Sequence, residues 1–167
     1  MNSKEKQNLQ YCSKRTRQIP HSMIKWLLSL GLFILPYAPV SAQDVTNILR
    51  GIISTISIWE DDYTVANIDI DRLSGNGDSR SLTRTLYGGN SYKVIAEGDN
   101  AFNDIDLVVY KKSGSSWIEI GKDVDETNVG IVNINPSVTA QYKFEVKAYK
   151  FKPGRSNGFY GLTIMFK

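Results

Sequence analysis

Gln141-Tyr142-Lys143-Phe144-Glu145-Val146-Lys147-Ala148 decides the fold class of this chain. Tyr142, Phe144, Val146 and Ala148 share one face of an extended segment, and Lys143, Glu145 and Lys147 share the other. A period of two with this polarity describes a strand with one face in a core and one in water. After Ala148 the apolar residues change phase to Tyr149 and Phe151, the mark of a bulge or of the strand's end.

Seven similar runs precede or follow it, at 63–70, 81–87, 91–97, 105–111, 117–120, 130–134 and 159–166. Clusters of turn-forming residues separate them, among them Ser74-Gly75-Asn76-Gly77-Asp78, Gly88-Gly89-Asn90, Ser113-Gly114-Ser115 and Asn135-Pro136-Ser137. About eight short strands at this spacing predict an all-β domain, an antiparallel β-sandwich or barrel. One stretch differs in period. In 44–58, Val45, Ile48, Leu49, Ile52, Ile53 and Ile56 recur at helical spacing, so a short N-terminal helix is expected there, with Asp44 capping its start and its apolar stripe lying on the domain.

Upstream of that helix the chain has the three parts of an export signal. Lys14, Arg15, Arg17 and Lys25 supply positive charge, Trp26-Leu27-Leu28-Ser29-Leu30-Gly31-Leu32-Phe33-Ile34-Leu35 is the apolar stretch, and Val40-Ser41-Ala42 offers small residues for cleavage before Gln43. The expected organisation is therefore a signal peptide over 1–42, with Met23 an alternative start, a helical or linking segment over 43–62, and the β-sandwich over 63–167. The apolar stretch is interrupted at Pro36, well short of the ~20 residues of a spanning helix. The processed protein is thus expected to be secreted or periplasmic rather than integral to the membrane.

Processing removes the only cysteine, Cys12, and the only histidine, His21. Residues 43–167 then hold 14 Lys and Arg against 16 Asp and Glu, a net charge of −2. Nucleic acid, which asks for a basic face, loses its compositional support, and disulfides and the catalytic arrangements built on histidine, cysteine or zinc are ruled out.

The β region as a whole resembles a known family. Leu86-Tyr87-Gly88-Gly89-Asn90-Ser91-Tyr92, Asp104-Ile105-Asp106-Leu107-Val108-Val109-Tyr110, Gln141-Tyr142-Lys143-Phe144-Glu145-Val146 and Gly158-Phe159-Tyr160-Gly161-Leu162-Thr163-Ile164 follow one another as the strand motifs of the bacterial pre-peptidase C-terminal (PPC) domain do. Ala140 stands where that pattern usually has glycine. The resemblance implies a small jelly-roll-like sandwich, usually appended to secreted enzymes, without catalysis of its own and sometimes binding Ca²⁺, carbohydrate or matrix. Tyr142 is similar to a tyrosine whose hydroxyl pins a strand corner.

Carboxylates are the main chemistry left. Asp104 and Asp106 are two apart and point to one face, Asp99 and Asn103 crowd the preceding loop beside Asn100, and Asp123, Asp125 and Glu126 form a second acidic loop. Brought together at one end of a sandwich, these oxygens would make a candidate Ca²⁺ site. Taken apart, they are turn residues bonding their own loops. Trp117, directly after a turn, is a candidate ligand contact. The expectation is a non-catalytic module that binds an envelope or extracellular protein or polysaccharide. The alternatives are an assembly protein associating through its helix or an edge strand, and a glycosidase working with carboxylates alone.

Overall fold

The computed structural model describes residues 42–167, so the signal peptide, its alternative start and Cys12 and His21 lie outside the described residues. Helix α1 (Ala42–Trp59) is followed by eight strands: β1 (Thr64–Ser74), β2 (Ser79–Leu86), β3 (Tyr92–Gly98), β4 (Phe102–Ser113), β5 (Ser116–Asp123), β6 (Val129–Ile134), β7 (Ala140–Phe151) and β8 (Asn157–Phe166). They form two four-stranded sheets, ordered β1-β8-β3-β6 and β2-β7-β4-β5, with every neighbouring pair antiparallel. The chain changes sheet at each connection except the β4–β5 hairpin, where Gly114 takes φ 59°. This is the strand order of a jelly roll, two Greek keys closed face to face.

The period-two residues of β7 behave as their polarity requires. Tyr142, Phe144, Val146 and Ala148 enter the core, where they meet Ile105, Leu107 and Val109 of β4 and Val94, Leu162 and Ile164 of the opposite sheet. β7 does not end at Ala148. Ala148 pairs with Ile105 and Lys150 with Asp104, so Tyr149 is bulged out between them. Tyr142 is buried, but the hydroxyl that holds a corner belongs to Tyr92, which accepts bonds from the Tyr87 N–H at 2.9 Å and from Asn90 Nδ2 at 3.3 Å across the Gly88-Gly89 turn.

Helix α1 begins at Ala42, which puts Asp44 inside the first turn rather than at the cap. It packs on the outer face of the β1-β8-β3-β6 sheet. Ile48 and Ile52 are 1% and 3% exposed. A Cβ on Gly161 of β8 would collide with Ile52 Cδ1 and lie 2.7 Å from its Cγ1, so only glycine lets the helix sit this close. Gly51 has a matching reason: the Glu97 carboxylate fills the space its side chain would need, and Thr55 Oγ1 donates to Glu97 Oε2 at 2.8 Å. The apolar stripe is wider than the sheet can cover. Leu49 stays exposed and Ile53 is 63% exposed, because the six residues span too broad an arc for one contact line.

At the opposite margin β1 inverts the usual polarity. Asn67, Asp69 and Asp71 pair with the core residues Ile164, Leu162 and Tyr160, so these polar side chains face the gap between the sheets, while Ile68 and Ile70 face outward. Arg80 and Arg84 of β2 face them, paired with Val146 and Tyr142, and Arg80 Nε lies 3.8 Å from Asp71 Oδ2. Inward charges on edge strands discourage pairing with a further strand. Among the described residues no helix is long and apolar enough to cross a membrane.

Candidate functional site

The β4 strand is bulged at its start, between Phe102 and Ile105, and this fixes where its carboxylates point. Ile105, Leu107 and Val109 enter the core, which leaves Asp104 and Asp106 on the outer face of the β2-β7-β4-β5 sheet. The β5–β6 loop closes over them. The Ile105 N–H donates to Thr127 O at 2.9 Å, the Gly98 N–H to Asn128 O at 2.8 Å, and Asn128 Nδ2 returns a bond to Gly98 O at 3.1 Å. The loop is thereby held so that Val124 and Glu126 form one wall of a notch of about 360 Å³, with Asp104, Asp106 and the bulged Tyr149 as the rest.

Burial without matching partners is the notable property of this notch. Asp104 is 4% exposed and Asp106 9%. Asp104 Oδ1 is fully buried and has no hydrogen-bond partner among the described residues. Burial pushes the Asp104 carboxyl above the ordinary carboxylate range, repulsion from Asp106 and then Glu126 adds to it, and Lys150 opposes. Asp106 is raised as well, by burial first, with Lys147 pulling down and Asp123 pushing up.

The remaining acidic candidates divide. Asp99 is buried in the β3–β4 turn, where Oδ1 accepts the Ala101 N–H and Oδ2 the Phe159 N–H, each at 2.8 Å, so it ties that turn to β8. Asp123 accepts the Ile131 N–H at 2.8 Å and the Asp125 N–H at 3.2 Å, which fastens β5 to β6. Asn100, Asn103 and Asp125 are exposed and do not line the notch, whereas Glu126 does. Among the described residues no group of three or more Asp, Glu, His or Cys is disposed to hold a metal ion.

Trp117 faces the same outer surface as the notch, because it pairs with Lys112 in register with Tyr110. Lys143 Nζ lies 4.2 Å from the Tyr110 ring centre and 5.9 Å from that of Trp117, with Glu145 Oε2 3.6 Å away. Lys112 Nζ is 6.0 Å from Trp117 on its other flank. The face thus carries aromatic rings between lysines and carboxylates, with the acidic notch at one end. Tyr149, set apart in the sequence by the phase change after Ala148, is brought to the notch, and Val124 is the lining residue for which the sequence carries no signal.

Fold and site together define a jelly-roll β-sandwich with a polar, aromatic-bearing outer face. No family model matches the chain, and no curated protein matches it in sequence. Solved structures similar to it include the periplasmic g-type lysozyme inhibitor PliG of Aeromonas hydrophila, with 13% identity, TM-score 0.44, and coverage of 64% of this chain and 90% of that one. The pre-peptidase C-terminal domain of a Bacillus anthracis collagenase, whose family the strand motifs resemble, is similar at 14% identity and TM-score 0.44, over 59% of this chain and 87% of that one. The Yersinia pseudotuberculosis-derived mitogen is similar at 16% identity and TM-score 0.40, over 59% and 84%.

Proposed function

We propose that this protein is a non-catalytic binding module of the cell envelope or extracellular space, which contacts a partner protein through the outer face of the β2-β7-β4-β5 sheet and takes a lysine or arginine side chain into the acidic notch. The observation that carries this is Asp104 Oδ1, buried and unpartnered at a site with two further carboxylates. An unsatisfied buried acceptor costs folding free energy on the order of 1–3 kcal/mol, and a site that retains one is a candidate for function. A cationic head relieves both the missing bond and the repulsion between Asp104, Asp106 and Glu126. Tyr149, bulged beside them, offers a ring face to the same cation.

Ca²⁺ is the competing occupant. It prefers six to eight oxygens, and the engagement of Asp99 and Asp123 with backbone N–H groups leaves the notch short of that number. Catalysis by two carboxyls would set Asp104 or Asp106 against Asp123 or Glu126; Asp123 is held by backbone N–H groups, which leaves Glu126, on the wall of the same small notch. Hydrolysis thus has weaker support than binding.

The test is an NMR titration of the purified protein with N-acetyl-arginine methylamide, N-acetyl-lysine methylamide, CaCl₂ and a panel of neutral oligosaccharides. Saturable shifts at residues 104–106 and 149 with the basic amides, abolished by Asp104→Asn, are expected. Shifts at these residues with CaCl₂ alone would replace the basic side chain by a metal ion. Shifts confined to Tyr110 and Trp117 with sugars would move the module to the polysaccharide class.

A further inference from the structure

A second cavity lies at the other margin of the sandwich, where β1 and β2 part, and it is chemically the opposite of the acidic notch. It has a volume of about 290 Å³, near the lower limit of small-ligand pockets. Its floor is apolar: Leu86, Tyr92 and Ile164 are buried there, with Phe166 beside them. Two polar side chains stand over that floor, Asn67 from β1 and Arg84 from β2, joined by a bond from Arg84 Nε to Asn67 Oδ1 at 3.4 Å.

Both present unused donors. Asn67 Nδ2 is buried and has no hydrogen-bond partner among the described residues. Arg84 Nη1 donates to its neighbour's carbonyl, Thr83 O, at 3.0 Å, but among the described residues Nη2 has no acceptor and no carboxylate lies within 4 Å of the guanidinium. Arg80, four residues earlier on the same face of β2, is by contrast paired with Asp71 and Asp78. An unpaired guanidinium beside an orphaned amide N–H, both over an apolar floor, is a donor set without its acceptor.

We infer that this cavity binds an apolar monocarboxylate, its carboxylate held by Arg84 and Asn67 and its hydrocarbon part lying on Leu86, Tyr92, Ile164 and Phe166. A planar anion with two acceptor oxygens matches one guanidinium edge and one amide N–H. A dianion fits less well, because Asp69 lies two residues from Asn67 on the same face of β1 and, among the described residues, Arg84 is the one cation that lines the cavity. The same chemistry is offered by a free aliphatic or aromatic acid and by the C-terminus of a chain ending in an apolar residue. This inference is independent of the acidic notch, which shares no lining residue with the cavity and lies on the outer face of the sheet rather than between the sheets.

The experiment is NMR of the purified protein with sodium benzoate, sodium octanoate, and N-acetyl-Ala-Leu as the free acid and as the C-terminal amide. Saturable shifts at Tyr92, Ile164 and Phe166 are expected with acids and not with the amide. Arg84→Gln, an exposed position that leaves the fold intact, weakens binding roughly tenfold or more, and Ala66→Leu, which fills the mouth of the cavity, does the same without touching charge. Asp104→Asn leaves the affinity unchanged, which separates this site from the notch. Response to benzoate or octanoate alone assigns the site to a small acid; response to the peptide acid alone assigns it to a chain terminus. Equal binding of acid and amide, an unaltered affinity in Arg84→Gln, or the absence of saturable shifts with all four probes overturns the inference.

Discussion

Lys93 holds its ammonium 3.9 Å from the ring centre of Trp59, and the pair joins the end of helix α1 to strand β3. Lys93 is buried, donates to Asn133 Oδ1 at 3.0 Å, and lies 5.4 Å from the Tyr63 ring, which packs edge-on against Trp59. Its charge is met by π faces and an amide, since no carboxylate lies within 4 Å of it among the described residues. Replacing Trp59 by Ala should loosen α1 before it loosens the sandwich. Hydrogen exchange is expected to quicken at residues 48–56, with a global loss of about 1–2 kcal/mol. Uniformly faster exchange across β4 and β7 would show instead that helix and sheets unfold as one unit.

Gly161→Val drives a branched side chain into the space occupied by Ile52. Overpacking of this kind costs about 1–3 kcal/mol. The added Ile52→Ala change should recover part of that loss, because it empties the space which the introduced valine needs. Urea denaturation of the two single variants and the double variant measures the coupling, and strict additivity would mean that the helix does not rest on Gly161.

Asp99→Ala and Asp104→Asn should move stability in opposite directions, although both residues are buried acids, one in the β3–β4 turn and the other near the start of β4. Removing Asp99 orphans the Ala101 and Phe159 N–H groups and should cost about 2–4 kcal/mol. Neutralising Asp104 removes an unsatisfied charge and should raise Tm by about 2–4 °C at neutral pH. Parallel thermal melts decide this, and a destabilised Asp104→Asn would mean that the carboxylate has a partner in solution.

The pH dependence follows from the same carboxyls. Asp104 and Asp106 are raised in the folded protein, so between the ordinary Asp value of 3.8 and their raised values the native state holds more protons than the unfolded chain. Stability therefore falls as pH rises through that window and levels off above it. Asp78 acts in the opposite sense. It is lowered, first by the bond it accepts from the Ser74 N–H and also by Arg80, so its contribution is present above pH 3.8 and is lost as pH falls through its lowered value. The wild-type curve minus that of Asp104→Asn isolates the first effect, and a difference that does not change with pH would remove Asp104 from the account.

The strands were legible because each carries its polarity in a period of two, and all eight runs became strands, usually a few residues longer than the runs themselves. The face of a strand was less legible. Asn67-Ile68-Asp69-Ile70-Asp71 alternates cleanly, yet its polar set faces inward, because the facing strand β2 supplies Arg80 and Arg84 rather than apolar residues. Nothing local to β1 records that. The acidic positions were likewise visible, but their division was not: whether an Asp bonds a backbone N–H or stands free in a notch depends on β8 and β6, which are distant in the chain. The cavity at Arg84 was invisible for the same reason, since its floor comes from β2, β3 and β8.

Helix α1 lies against one sheet, and the notch, Tyr110 and Trp117 lie on the outer side of the other. The face that carries the notch is therefore the one helix α1 leaves uncovered. A fluorophore attached to the exposed side of helix α1, at Ile53, would sit across the sandwich from the lysine and carboxylate face and would leave that face clear for a partner.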